Sequence, residues 1–222
     1  MPGTSSRCAP NRRRLGIVAG LAAATAPGTP AQAQITIDLA SNTALEQRGR
    51  EQLERLLRTY DLSPWVFTRT VRIESYVIPH SHPVLTLNTR YLDNDTAQVA
   101  TFIHEQLHWF LVEREAPTDF AKAELRRMFP KVPDKPPEGA QDEESTYLHL
   151  LVCTLELEGT AHIFGEAAAR RALEGWRHYT WVYRQVLDRT DSLKRVLRAH
   201  GLVVSPRKAS HADTARSSGQ RR

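Results

Sequence analysis

Cysteine is scarce in this chain: its 222 residues include two, Cys8 and Cys153. Cys8 falls in a leader-like segment, ahead of that segment's apolar part, which is not a lipoprotein position. Once the leader is removed Cys153 has no partner, so an intramolecular disulfide framework is excluded. Long apolar runs are lacking too. The stretch Leu15 to Ala26, "LGIVAGLAAATA", is too short to serve as a permanent bilayer anchor. Acid is missing from residues 1–33, which carry Arg7, Arg12, Arg13 and Arg14 and no Asp or Glu. The chain has a net charge of +5, with +4 in this leader and +4 in residues 207–222, which leaves about −3 for the body between them. A nucleic-acid-binding domain concentrates positive charge on its folded face, and this charge distribution argues against one. Internal repeats are absent as well.

What is present begins with a targeting pattern. "NRRR" gives a positive start, the apolar run follows, and "TPAQAQ" offers small residues with a cleavable bond after Ala33. This is the order of a secretory signal peptide. The paired arginines also suit a twin-arginine route, and the general secretory route is preferred. The expected organisation is a signal peptide over 1–33, one domain over 34–205 and a disordered basic tail over 206–222, with the mature chain secreted or periplasmic. A composition of 41% apolar and 25% charged residues is ordinary for a globular domain.

Periodicity predicts an α+β domain, mostly helical with a small sheet. Leu45, Leu53, Leu56 and Leu57 recur at helical spacing over Ala44 to Leu62. Trp65 to Ile78 is rich in β-branched and aromatic residues and predicts a strand. "PHSHP" breaks it, and its His80 and His82 read as a surface loop. Val84 to Leu92 alternates Val84, Thr86 and Asn88 against Leu85, Leu87 and Thr89, the pattern of an edge strand with one polar face. A helix is predicted over Thr96 to Arg114, capped through Asp95 and Gln98. Shorter helices are expected at Phe120 to Phe129 and beyond Gly165. A buried helix around "STYLHLLVCTLEL" is expected to end at Gly159. Within it, Cys153 reads as a small buried hydrophobe.

The chemistry centres on His104, Glu105 and His108, an H-E-x-x-H motif on the helix predicted over Thr96 to Arg114. Positions i and i+4 project from one face, one turn apart. Two imidazoles so placed can share one tetrahedral Zn²⁺, and the glutamate between them lies close enough to take a proton from water without ligating the metal. Two imidazoles suit zinc best at ordinary metal availability.

At these residues the chain resembles the zincin metallopeptidases, over "PVLTLNTRYLDNDTAQVATFIHEQLHW" and more loosely in the downstream helix. The resemblance implies a zincin-like fold in which an edge strand precedes the metal helix and binds extended substrate by main-chain pairing. That strand is Val84 to Thr89 here. It also implies zinc-dependent hydrolysis of a peptide or protein substrate, with Glu105 as general base. "WFLVEREAP" after His108 departs from the metzincin extension, and none of Glu143, Glu144, Glu156 and Glu158 shows the E-x-x-x-D pattern of a gluzincin glutamate.

The third ligand has three candidates. His149 interrupts the most apolar helix, where a buried imidazole needs a partner, and it ranks first. Glu156, two turns on, ranks next, or else accepts the N–H of a ligating histidine. His162 in "GTAHIFG" ranks third. Attack on a carbonyl also calls for a donor to the developing oxyanion. "WRHYTWVYR" supplies His178, Tyr179 and Tyr183, of which Tyr183 is chosen, while Trp176 and Trp181 read as packing residues. The competing expectations are a non-catalytic metal-binding protein using the same ligands and a metal-free cell-envelope interaction module. Oligomeric state has no signature in the sequence.

Overall fold

The computed structural model describes residues 35–205. The leader expected over 1–33, its cleavage point and the basic tail over 206–222 lie outside the described residues.

The described chain is α+β and 59% helical, with three short parallel strands in the order β1 (Thr36–Leu39), β2 (Thr70–Ile73) and β3 (Leu85–Leu87). β1 to β2 is a crossover through helix α1 (Ala44–Thr59), as parallel neighbours require. α1 starts in a capping box: Glu46 N–H donates to Thr43 Oγ1 and Thr43 N–H to Glu46 Oε2. It stops three residues short of the predicted end. Asp61 Oδ1 accepts from the N–H and hydroxyl of Ser63, and Pro64 follows, so the helical backbone gives way to a 3₁₀ turn at Ser63–Trp65.

The long strand predicted over Trp65 to Ile78 is reduced to four residues, and the loss at its start has a specific reason. A buried side-chain amide replaces a neighbouring strand: Gln106 Oε1 accepts from the N–H groups of Phe67 and Thr68, both at 2.8 Å, and its Nε2 donates to the Thr68 carbonyl. β3 lies at the sheet edge, as expected, but its polar face is not solvated. Thr86 and Asn88 are buried along with Leu85 and Leu87.

Helix α2 (Asp95–Val112) carries the histidine motif. Its cap is Asn94, whose Oδ1 accepts from Ala97 N–H, and Asp95 pairs instead with Arg55 at 2.7 Å. Helix α3 (Glu115–Met128) begins earlier than predicted, with Pro117 in its first turn, where the missing N–H costs nothing. Helix α4 (Glu143–Phe164) packs along α2 and is buried on most sides. It does not end at Gly159. A Cβ there would stand 2.7 Å from Trp65 Nε1 and 3.1 Å from Ile103, so the glycine permits close packing in mid-helix. The helix ends at Gly165, whose φ of +84° suits glycine. Helices α5 (Glu166–Glu174), α6 (Thr180–Asp188) and α7 (Thr190–Ala199) complete the domain. The break between α5 and α6 ends on Tyr179, a non-glycine residue at φ +53°. Phe102, Ile103 and Leu107 of α2 meet Leu150, Leu151 and Leu155 of α4 in one continuous core.

Candidate metal centre

Two helices supply the centre. On α2, His104 and His108 lie one turn apart with their Nε2 atoms 3.4 Å from each other. On α4, His149 approaches both, with ring centres 5.6 Å from His104 and 5.1 Å from His108. One nitrogen from each of the three rings lies within 4.8 Å of the others.

The hydrogen bonds select tautomers. His149 Nδ1 is 2.6 Å from the Ser145 carbonyl, one turn back on its own helix, and must donate there. His104 Nδ1 is 2.9 Å from Glu156 Oε2, and a carboxylate accepts. Each ring therefore turns Nε2 toward the cluster. Fixing the tautomer of a ligating histidine through its other nitrogen is the usual arrangement around a metal. The chain's buried groups are thus positioned to bind a metal ion.

The electrostatics agree with a cluster that rejects more than one proton. Burial, then the neighbouring His104, pushes His108 well below the ordinary imidazole range. Burial and His104 push His149 down to about 3, against the Ser145 carbonyl, which raises it. For His104, burial opposes charge, but Cys153 and Glu156 outweigh it and hold the ring well above the ordinary value. A proton on His104 and a divalent ion are alternative ways to satisfy three nitrogens so close together.

Two glutamates flank His104 and differ in their partners. Glu156, 1% exposed, accepts three hydrogen bonds: from His104 Nδ1, from Tyr183 Oη at 3.0 Å and from Trp176 Nε1 at 3.2 Å. Glu105, 6% exposed, is pushed up to about 7, first by burial and then by Glu156, while His104 and His80 pull it down. A carboxyl with that value takes up and releases a proton near neutral pH.

Several expectations change. Glu156 stands behind His104 as its hydrogen-bond acceptor. It does not receive the His149 N–H, which goes to Ser145. Tyr183 is buried and its hydroxyl is committed to Glu156, so it supports His104 and does not face the cluster as an oxyanion donor. Trp176, read as a packing residue, also donates to Glu156. His162 lies at the other end of α4 with its ring 5.3 Å from Trp65, away from the cluster. Cys153 is buried, its thiol pushed up to about 11 by burial. It also borders the cluster: its Sγ, a His104 nitrogen and a Glu156 oxygen form a second close group.

The "PHSHP" loop lies at the surface, as expected, with His80 and His82 exposed, and is tied to α2. Trp109 Nε1 donates to the Ser81 carbonyl at 2.9 Å and the His82 ring stacks on Trp109 at 4.2 Å. In the Val84 to Thr89 edge, both main-chain groups of Thr86 are bonded to His80.

Tyr179, one of the donors in "WRHYTWVYR" passed over in favour of Tyr183, stands at the cluster. Its ring centre is 4.1 Å from that of His149, and the ring lies nearly parallel to His104, 6.3 Å away. A tyrosine in the left-handed region is uncommon and is held there by its surroundings. Here Thr180 N–H donates to Pro137 O and Trp181 N–H to Glu138 O, which pin the start of α6. No local sequence signal announces such a residue; the constraint comes from a loop about forty residues upstream.

Comparison of the chain with protein-family models, with curated proteins and with solved structures finds no match.

Proposed function

We propose that the protein is a zincin-like hydrolase of peptide bonds that works with zinc at the cluster of His104, His108 and His149, and that it acts outside the cytoplasm after removal of its leader. The convergence of three imidazole nitrogens, with a buried glutamate next to the first of them on the same helix, carries this reading. Zinc bound there supplies a Lewis acid and brings the pKa of its water to about 7. Glu156 orients His104, and the Ser145 carbonyl orients His149. Glu105 accepts the proton of the attacking water and passes it to the leaving amine. Tyr179 closes one side of the cluster with its ring.

A second reading, a non-catalytic bound metal, draws on the fully buried group His104, Cys153 and Glu156, since closed and buried donor sets are typical of structural sites. Protein purified without added metal and assayed on a broad peptide panel separates the two. One zinc per chain with metal-dependent cleavage supports the hydrolase. Stoichiometric metal with no cleavage of any peptide in the panel favours the structural role, and absence of metal removes both.

A further inference from the structure

The edge of the sheet that leads into the metal helix is already closed by the chain itself. Thr86 N–H donates to the His80 carbonyl at 2.7 Å, and His80 N–H donates to the Thr86 carbonyl at 3.1 Å. A reciprocal pair of this kind is the hydrogen-bonded contact of an antiparallel ladder, so the residues on either side of His80 turn their main-chain groups away from β3. Asn88 Nδ2 fastens the same segment further along, donating to the Val77 carbonyl at 2.8 Å.

An extended ligand laid outside this segment would have to pair with Pro79 and Ser81. Pro79 has no N–H to give. The Ser81 carbonyl already accepts from Trp109 Nε1, and the His82 ring covers that indole. Only the Pro79 carbonyl and the Ser81 N–H are left. Strand addition takes its affinity from a run of main-chain bonds, with side-chain pockets adding selectivity. A proline and a covering side chain are ordinary means of closing such an edge. Rings also stand against the cluster: Tyr179 over His149, and His178 against Tyr179 with ring centres 5.1 Å apart.

We infer that the site takes short acyl-amide substrates, gripped at the reacting bond and by the surrounding rings, and not polypeptides held in extended form along the sheet. The inference rests on the hydrolytic reading of the cluster. It departs from the main-chain pairing implied by the resemblance noted in the sequence.

The test uses the full zinc-loaded chain and hydroxamates, which grip a metal whether or not any peptide is cleaved. Acetohydroxamate and oligoalanyl hydroxamates of increasing length are titrated by calorimetry while the Ser81 amide is followed by NMR. After the first alanine, the expected change in Kd is within about threefold however many residues are added, and the Ser81 signal stays in place. A tightening of about tenfold or more for each pair of added residues, with a shifted Ser81 amide, overturns the inference and leaves the hydrolytic reading intact. If acetohydroxamate itself fails to bind, the metal reading falls and the inference falls with it.

Discussion

The two sides of His104 hold the same residue type in opposite conditions. Behind the ring, Glu156 is almost inaccessible and accepts from an imidazole, a phenol and an indole. Beside the ring, Glu105 is about as deeply placed, yet burial dominates and pushes it up to about 7. Burial alone does not determine what a carboxyl does. The number of donors aimed at it decides whether it is tied in place to orient its neighbour, as Glu156 is by three. A third buried glutamate, Glu46, extends the comparison. Burial raises it too, but the N–H groups of Ser41, Thr43 and Ser75 outweigh that and hold it below the ordinary value.

Replacement of Glu105 should have the largest effect. Glu105→Gln keeps size and burial but removes the proton acceptor, so kcat is expected to fall about 10²- to 10⁴-fold. Bound metal, measured by elemental analysis, should stay unchanged. Loss of metal in a folded Glu105→Gln chain would mean that Glu105 is a ligand and would break the contrast. Glu156→Gln should do the reverse. Metal affinity, read by competition with a chelator, is expected to drop about 10- to 100-fold because His104 loses the carboxylate that orients it.

A smaller effect is expected where α4 meets Trp65. Gly159→Ala inserts a methyl group 2.7 Å from the indole nitrogen. Chemical denaturation should show a loss of about 1–3 kcal/mol from overpacking. The smallest effect concerns Glu46. Its folded pKa lies below the ordinary value of 4.5, so its contribution to stability is present above that value and is lost as the pH falls through the lower, folded one. Glu46→Gln should therefore flatten the acid limb of the stability profile below pH 4.5 and leave the pH dependence of metal binding unaltered. A Glu46→Gln profile that overlays the parent's would show that the three N–H donors do not hold a charge.

The sequence revealed the histidine helix because its signal is local. His104 and His108 are one turn apart on a capped amphipathic stretch, and no distant residue can change that spacing. His149 was legible for a different reason: an imidazole among Leu148, Leu150, Leu151 and Val152 has no side-chain partner on its own helix. Partner assignments across helices were not legible. Whether Glu156 meets His149 or His104 depends on how α4 is rotated against α2, which packing at Gly159 and Trp65 helps to set. The tie between Tyr183 and Glu156 was hidden on the same ground, since that hydroxyl reaches across from α6. The shortening of the predicted Trp65 to Ile78 strand depends on Gln106, about forty residues away in sequence. Hydrophobic periodicity carries no record of a side chain standing in for a strand.

X-ray absorption on the bound metal of the full chain tests the central claim most directly. If His104, His108 and His149 hold the ion, the spectrum should show three imidazole nitrogens at about 2.0–2.1 Å and no sulfur. A thiolate sulfur at about 2.3 Å, which among the described residues Cys153 alone can supply, would move the ion to the buried group behind His104 and contradict the account.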